Sequence, residues 1–145
     1  MKTLLFIVLM ITGHFISEAQ KLSADKVPAV VKAGLNKIHP SVAASWEREV
    51  ANYEANVREG NKEVSVIPDS RGTIVETETE VSLNSLPASA QTYIKDQFNG
   101  KKLQEIAKIV KADGEVNYEV MVNHRDYLFD ANGNHLNRKD KKEKD

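Results

Sequence analysis

Cysteine is absent from the 145 residues, which excludes a disulfide scaffold, a thiolate metal site, a cysteine nucleophile and a lipid carried on sulfur. No charge sign dominates either: 20 Lys+Arg stand against 21 Asp+Glu, a net charge of −1, a balance that gives little electrostatic reason to bind a nucleic-acid backbone. Glycine and proline, at 7 and 4 residues, are too sparse for a collagen-like or low-complexity chain. What is present, 41% hydrophobic and 28% charged residues, is the composition of a small globular protein.

The first nineteen residues read as an export signal. Lys2 gives a positive start, Leu4 to Ile11 form an apolar run, and Ser17-Glu18-Ala19 places small residues at the −3 and −1 positions of a cleavage site. The run is about half the roughly 20 residues that span a bilayer, so a cleaved signal is favoured over a retained anchor. The expected product is Gln20–Asp145, periplasmic or secreted, with no membrane span after cleavage. At the other end, residues 138–145 (RKDKKEKD) contain no apolar side chain and are expected to form a charged, solvated tail.

Between these ends the sequence repeats itself. Val27-Pro28-Ala29 returns as Leu86-Pro87-Ala88, Asn52-Tyr53-Glu54 as Asn117-Tyr118-Glu119, and Asp69-Ser70-Arg71-Gly72 as Asp130-Ala131-Asn132-Gly133, always in the same order. The offsets of 59, 65 and 61 residues are those of two diverged copies with short insertions in their hairpins. The expected organisation is a first unit over 20–81 and a second over 82–137.

Each unit opens with an amphipathic helix. Val27, Val31, Leu35 and Ile38 line one stripe, and Leu86, Ala90, Ile94 and Phe98 repeat its spacing. Pro28 and Pro87 suit a first helical position, and Ser85 is close enough to cap the second helix. The period then changes to two: Tyr53, Ala55 and Val57 alternate with Glu54, Asn56 and Arg58, and Tyr118, Val120 and Val122 with Glu119, Met121 and Asn123. Turn residues separate such runs closely. The expected fold is α+β, a tandem repeat of a helix plus a three- to four-stranded antiparallel meander.

The Val-Pro-Ala and Leu-Pro-Ala helix starts, Trp46-Glu47, the Asn-Tyr-Glu strand, Lys62-Glu63-Val64 and the Asp-x-x-Gly turn together resemble the PepSY-like, beta-lactamase-inhibitor-like domains of proteins exported by Bacteroidetes-type bacteria. The resemblance covers roughly residues 26–136. It implies tandem units with helices on one face, whose two sheets either join into one curved sheet or stay separate with exposed edges, and it brings no active site. In the inhibitor proteins the exposed sheet face grips an enzyme, and PepSY domains occur in protease propeptides. This chain lacks the disulfides of the inhibitors.

Chemistry-bearing constellations are few. His39, His124 and His135 show no zinc spacing, and no nucleophile elbow accompanies them, so a non-enzymatic protein without cofactors is expected. Glu76, Glu78 and Glu80 share one side of a strand at about 7 Å intervals, either a solvent-facing row or a weak cation site. The two Asp-x-x-Gly segments resemble part of a calcium loop but lack its remaining ligands, and read as turns. Trp46, in polar company, is either core or an anchor for a partner. The expected function is recognition of a protein or peptide in the envelope, through Trp46 with the outward positions Glu54, Arg58, Glu119 and Met121, and the alternative is ligand or cation sensing by the Glu76–Glu80 strand.

Overall fold

The computed structural model describes residues 20–49 and 51–136. The export signal at 1–19 and the charged tail at 138–145 lie outside them.

Two helices and a nine-stranded antiparallel sheet make an α+β fold. A first strand β1 (Gln20–Leu22) and a 3-10 turn precede helix α1 (Ala29–Ile38), after which β2 (Ser45–Glu49), β3 (Asn52–Glu59), β4 (Lys62–Pro68) and β5 (Ile74–Glu80) follow as a meander. A second 3-10 turn leads to helix α2 (Ala88–Gln97) and to β6 (Leu103–Lys111), β7 (Val116–Val122), β8 (Arg125–Asp130) and β9 (His135–Leu136). The strands stand in sequence order from β1 to β9, so neighbours in the chain are neighbours in space. β5 pairs antiparallel with β6, from Glu76 opposite Lys111 to Glu80 opposite Ala107. That pairing answers the question of continuity: the strands after each helix belong to one sheet.

The apolar stripes bury as their spacing requires. Val27, Val31 and Leu35 join Trp46, Tyr53, Ala55, Val57, Val64 and Val66 in one core cluster, and Leu86, Ala90 and Ile94 join Val120, Val122 and Phe129 in a second. Ile38, expected on the first stripe, is 48% exposed because it ends the helix. Phe98 caps α2 and packs beside the second cluster, with its ring 4.5 Å from that of Tyr127. Ser85 does not cap α2. It closes the preceding 3-10 turn, where its hydroxyl meets that of Ser82 at 3.0 Å, and Pro87 holds the N-cap.

The Asp-x-x-Gly segments are turns with carboxylate-capped amides. Asp69 Oδ1 accepts the backbone N–H of Arg71 at 2.8 Å and of Thr73 at 2.9 Å. Asp130 Oδ1 accepts those of Asn132 and Asn134, both at 2.9 Å. Gly72 and Gly133 take positive φ, 80° and 82°, to close these turns, and each turn lies against the first residues of a helix. The β7–β8 connection places Asn123 and His124 at φ 50° and 59°, the left-handed pair that a two-residue hairpin needs.

Candidate functional site

In a strand, alternate side chains point to opposite sides, so the pairing register sorts every strand residue onto one of two sides of the sheet. Tyr53, Ala55, Val57, Val64, Val66, Thr77, Val120 and Phe129 fall on one parity, which supplies both core clusters. The other parity joins neither cluster. It carries Glu47 on β2, Glu54 on β3, Glu63 on β4, Glu76, Glu78 and Glu80 on β5, Glu105 on β6, Glu119 on β7 and Asp126 on β8. Among the described strand residues, Lys21, Arg58 and Lys111 are the cations of that parity. Two of these are already engaged: Arg58 Nη2 lies 2.8 Å from Glu63 Oε1, and Lys111 Nζ 2.9 Å from Glu115 Oε1. The chain is nearly neutral as a whole, yet this side of its sheet is strongly acidic.

An apolar floor lies among the carboxylates. Ile67, Ala107 and Ile109 occupy the acidic parity and are buried, with Ile109 directly opposite Glu78 and Ala107 opposite Glu80. Asn117, opposite Ile109 on β7, is also buried, and its Nδ2 donates to Glu115 Oε1 at 2.8 Å. Ser65 Oγ donates to Asn56 Oδ1 at 2.6 Å on the neighbouring strands.

Crowding of like charge changes the chemistry of the site. Glu78 is half-buried, and its carboxyl is pushed up to about 8, first by burial, then by a hydrogen bond with Glu76 and by the negative charges of Glu76, Glu119 and Glu54. Glu78 therefore holds a proton near neutral pH, where ordinary carboxyls have lost theirs. The Glu105 carboxyl is also raised, by loss of surrounding water first and then by Asp126, Glu80, Glu63 and Glu54. These influences reach across four or more strands, which places the carboxylates in one common field.

The residues expected to meet a partner divide between the two sides. Glu54, Arg58, Glu119 and Met121 share the acidic parity, and the register brings Glu119 opposite Ala107 and Met121 opposite Glu105. Trp46 does not join them. It pairs with Ala55 on the core parity and is only 6% exposed, so its expected role as a binding anchor gives way to one in the first core cluster. Glu76, Glu78 and Glu80, the strand of the cation alternative, lie on the acidic parity as well. Glu78 shares hydrogen with Glu76, Glu80 is exposed, and among the described residues no group of three His, Asp or Glu is placed to hold a metal ion.

The histidines are occupied in structure. His39 Nδ1 lies 2.8 Å from Glu59 Oε1 at the end of α1, the His124 backbone N–H donates to Gln104 Oε1 at 2.6 Å, and His135 stacks on Tyr93 with ring centroids 4.7 Å apart. Ile67, Ala107, Ile109, Glu105 and Asp126 are among the components of the acidic side that sequence reasoning missed. Ile109 and Glu105 sit on β6, whose bulge between Leu103 and Glu105 resets the alternation.

Comparison with known proteins defines the fold. No family model matches the sequence, and no curated protein does. Solved structures do. A protein of Bacteroides eggerthii assigned to the periplasm aligns with TM-score 0.70 and 19% identity over 77% of this chain and 86% of its own. A DUF2874 family protein of Bacteroides uniformis aligns at 0.68 with 18% identity over 76% and 86%, and a BLIP-like protein of Bacteroides fragilis at 0.62 with 23% identity over 76% and 83%. The chain thus has the fold of these Bacteroides proteins. Among the described residues no helix is long and apolar enough to cross a membrane.

Proposed function

We propose that this chain is a periplasmic, non-enzymatic binding module that takes a protein or peptide on the acidic side of its sheet. The observation that carries the reading is the juxtaposition, on a parity that joins neither core cluster, of an apolar floor (Ile67, Ala107, Ile109) with a surrounding field of carboxylates. An apolar centre with a polar, charged surround is the build of a recognition surface. In this reading the two helix-plus-meander units are copies of one ancestral PepSY-like unit, and both helices cover the same side, leaving the other for a partner. The paired turns at Asp69 and Asp130, with equivalent amide hydrogen bonds, support the duplication. The BLIP-like neighbour supports use of the open side, and the export signal at 1–19, together with a neighbour assigned to the periplasm, supports the location.

Glu54, Glu119 and Met121 are the contact residues of this reading, with Arg58 at its margin. Affinity capture from a periplasmic extract, using the full chain and a Glu54→Lys, Glu119→Lys variant that keeps its fold by circular dichroism, tests it. Loss of specific partners from the variant is expected, and identical partner lists would remove this side of the sheet as the binding surface.

A further inference from the structure

Two Asn-Gly pairs stand in the chain, Asn99-Gly100 after helix α2 and Asn132-Gly133 in the turn between β8 and β9. An asparagine followed by glycine is open to attack on its own side chain, because glycine has no β-carbon to shield its backbone nitrogen. The two pairs share this chemistry and differ in how the fold holds them. Asn132-Gly133 is locked: the Gly133 N–H donates to the Asp130 carbonyl at 2.9 Å, the Asn132 N–H donates to Asp130 Oδ1 at 2.9 Å, and Ser89 Oγ donates to the Asn132 carbonyl. Gly133 is buried, and a β-carbon on it would stand 2.8 Å from the Ala90 nitrogen. Asn99-Gly100 is open. Both residues are exposed, and the backbone bond that closes their turn, from the Lys101 N–H to the Phe98 carbonyl at 2.9 Å, uses neither of them. Among the described residues the Gly100 N–H and the Asn99 side chain meet no hydrogen-bonding group, and a β-carbon on Gly100 would find nothing within 4 Å.

The first helix makes the same exit without asparagine. His39 closes α1 by donating to the Leu35 carbonyl at 2.9 Å, as Phe98 closes α2 by donating to that of Ile94 at 2.8 Å. Pro40 and Ser41, φ 58°, then stand where Asn99 and Gly100, φ 72°, do, so the turn itself does not call for an Asn-Gly pair. We propose that Asn99 is a site of self-modification: in the folded chain it deamidates to aspartate and isoaspartate, while Asn132 is protected. The Gly100 nitrogen attacks Asn99 Cγ. A C–N bond forms and closes a five-membered imide, the Cγ–Nδ2 bond breaks, and the side-chain nitrogen leaves as ammonia with the Gly100 amide proton. Water then opens the imide. Its addition at Cγ restores the original main chain and leaves an aspartate, and its addition at the main-chain carbonyl routes the backbone through the side chain, which inserts a methylene. Either product adds a negative charge to the net −1, and the methylene falls in the connection that sets where β6 begins, at Leu103. The inference does not depend on the acidic side of the sheet being a binding surface.

Base favours the attack by taking the amide proton, so the test incubates the full chain, folded, at about pH 8 and follows it by tryptic digestion and mass spectrometry. Cleavage after lysine and arginine puts Asn99 in a peptide covering 96–101 and Asn132 in one covering 126–138, and each conversion adds about 1 Da as NH2 gives way to OH. In the folded chain Asn99 is expected to convert at least about tenfold faster than Asn132, because Asn132 reacts only when its bonded turn opens. In urea, where neither turn is held, the two rates are expected to agree within about threefold. The synthetic peptide Asp-Gln-Phe-Asn-Gly-Lys supplies the rate of an unrestrained pair. Conversion of that peptide while Asn99 stays intact in the folded chain overturns the proposal, as do equal rates at Asn99 and Asn132 in the folded chain. A difference that persists in urea overturns it as well, since the selectivity would then come from the flanking sequence and not from the fold. Asn99→Gln, which lengthens the side chain and disfavours the ring, is expected to leave the 96–101 peptide unconverted, and an equal mass gain in that variant would place the reaction elsewhere in the peptide.

Discussion

A β-carbon on Gly34 would stand 2.0 Å from the carbonyl oxygen of Gly72, so helix α1 and the β4–β5 turn meet backbone to backbone. The contact is reciprocal: a β-carbon on Gly72 would stand 2.2 Å from the carbonyl oxygen of Val30. No rotamer change relieves a clash between main-chain atoms, so any larger residue at 34 must push the helix off the sheet. Gly34→Ala is expected to cost about 2 kcal/mol in urea unfolding even though alanine is the better helix former. Gly60→Ala makes the control, since Gly60, unlike the helical Gly34, has positive φ but no atom within 4 Å of a would-be β-carbon. It is expected to cost only about 1 kcal/mol, from backbone conformation alone. A Gly34→Ala chain as stable as the parent would show that the helix docks differently.

Trp46 is the single tryptophan, and it lies in the first core cluster with Tyr53 and Val57. Its fluorescence is therefore a reporter of that cluster alone. The emission maximum is expected to be blue-shifted in the native chain and to move to longer wavelength on unfolding. Trp46→Ala is expected to cost about 3–5 kcal/mol, the range for removing a large buried aromatic, whereas Trp46→Phe keeps most of the packing and costs less. A Trp46→Ala variant of unchanged stability would return Trp46 to the surface.

Trp46 also shows where sequence reasoning stopped. Ser45, Glu47 and Arg48 give it polar company, but alternation makes polar flanks ordinary for a core residue in a half-buried strand, and only the pairing with Ala55 decides the side. The helical stripes were legible because Val27, Val31 and Leu35, and then Leu86, Ala90 and Ile94, follow a period that permits one buried face. The turns at Asp69 and Asp130 were legible because their chemistry is local. The joining of β5 to β6 was not, since the alternation from Val75 to Val81 announces a strand without naming a neighbour. Glu54, Glu78 and Glu119 are far apart in the sequence, and it is that pairing which brings them into one field.

The two aspartate-capped turns predict the response to acid. The carboxyls of Asp69 and Asp130 are held below the ordinary 3.8: Asp69 chiefly by the Thr73 backbone N–H, Asp130 chiefly by the Asn134 side-chain amide and then by its backbone N–H. A carboxyl whose folded value is depressed stabilises the fold above its unfolded value and loses that contribution as pH falls through the folded one. The melting temperature is therefore expected to hold from pH 5 to about 4 and then to fall as the turns take up protons. Asp69→Asn and Asp130→Asn are expected to melt lower than the parent at pH 7, with the gap narrowing as pH falls below the ordinary 3.8. Curves that stay parallel over the whole range would exclude these turns as the acid-sensitive element.

At the other end of the pH scale the decisive group is Glu78. Its carboxyl stands opposite Ser65 on β4 and Ile109 on β6, with Glu76, Glu119 and Glu54 acting on it and with Lys111 and Arg58, the cations of that side nearest these strands, paired to Glu115 and Glu63. It is raised from an ordinary value of 4.5 to about 8, so between those limits the folded chain holds a proton that the unfolded chain has released. By linkage, stability falls as pH rises through this window: the contribution is complete below about 4.5 and is lost above about 8. Glu78→Gln removes the charge and keeps the shape. At pH 5 the variant and parent are expected to agree within about 0.5 kcal/mol, and at pH 9 the variant is expected to be more stable by about 2 kcal/mol, less than the full pKa difference implies because water still reaches part of the side chain. Urea unfolding at half-unit pH intervals checks this, with Glu80→Gln as the control for an exposed carboxylate on the same strand. A constant offset between Glu78→Gln and the parent from pH 5 to pH 9 would mean that Glu78 is ionised throughout, and that the acidic side of the sheet is far better hydrated than its apolar floor implies.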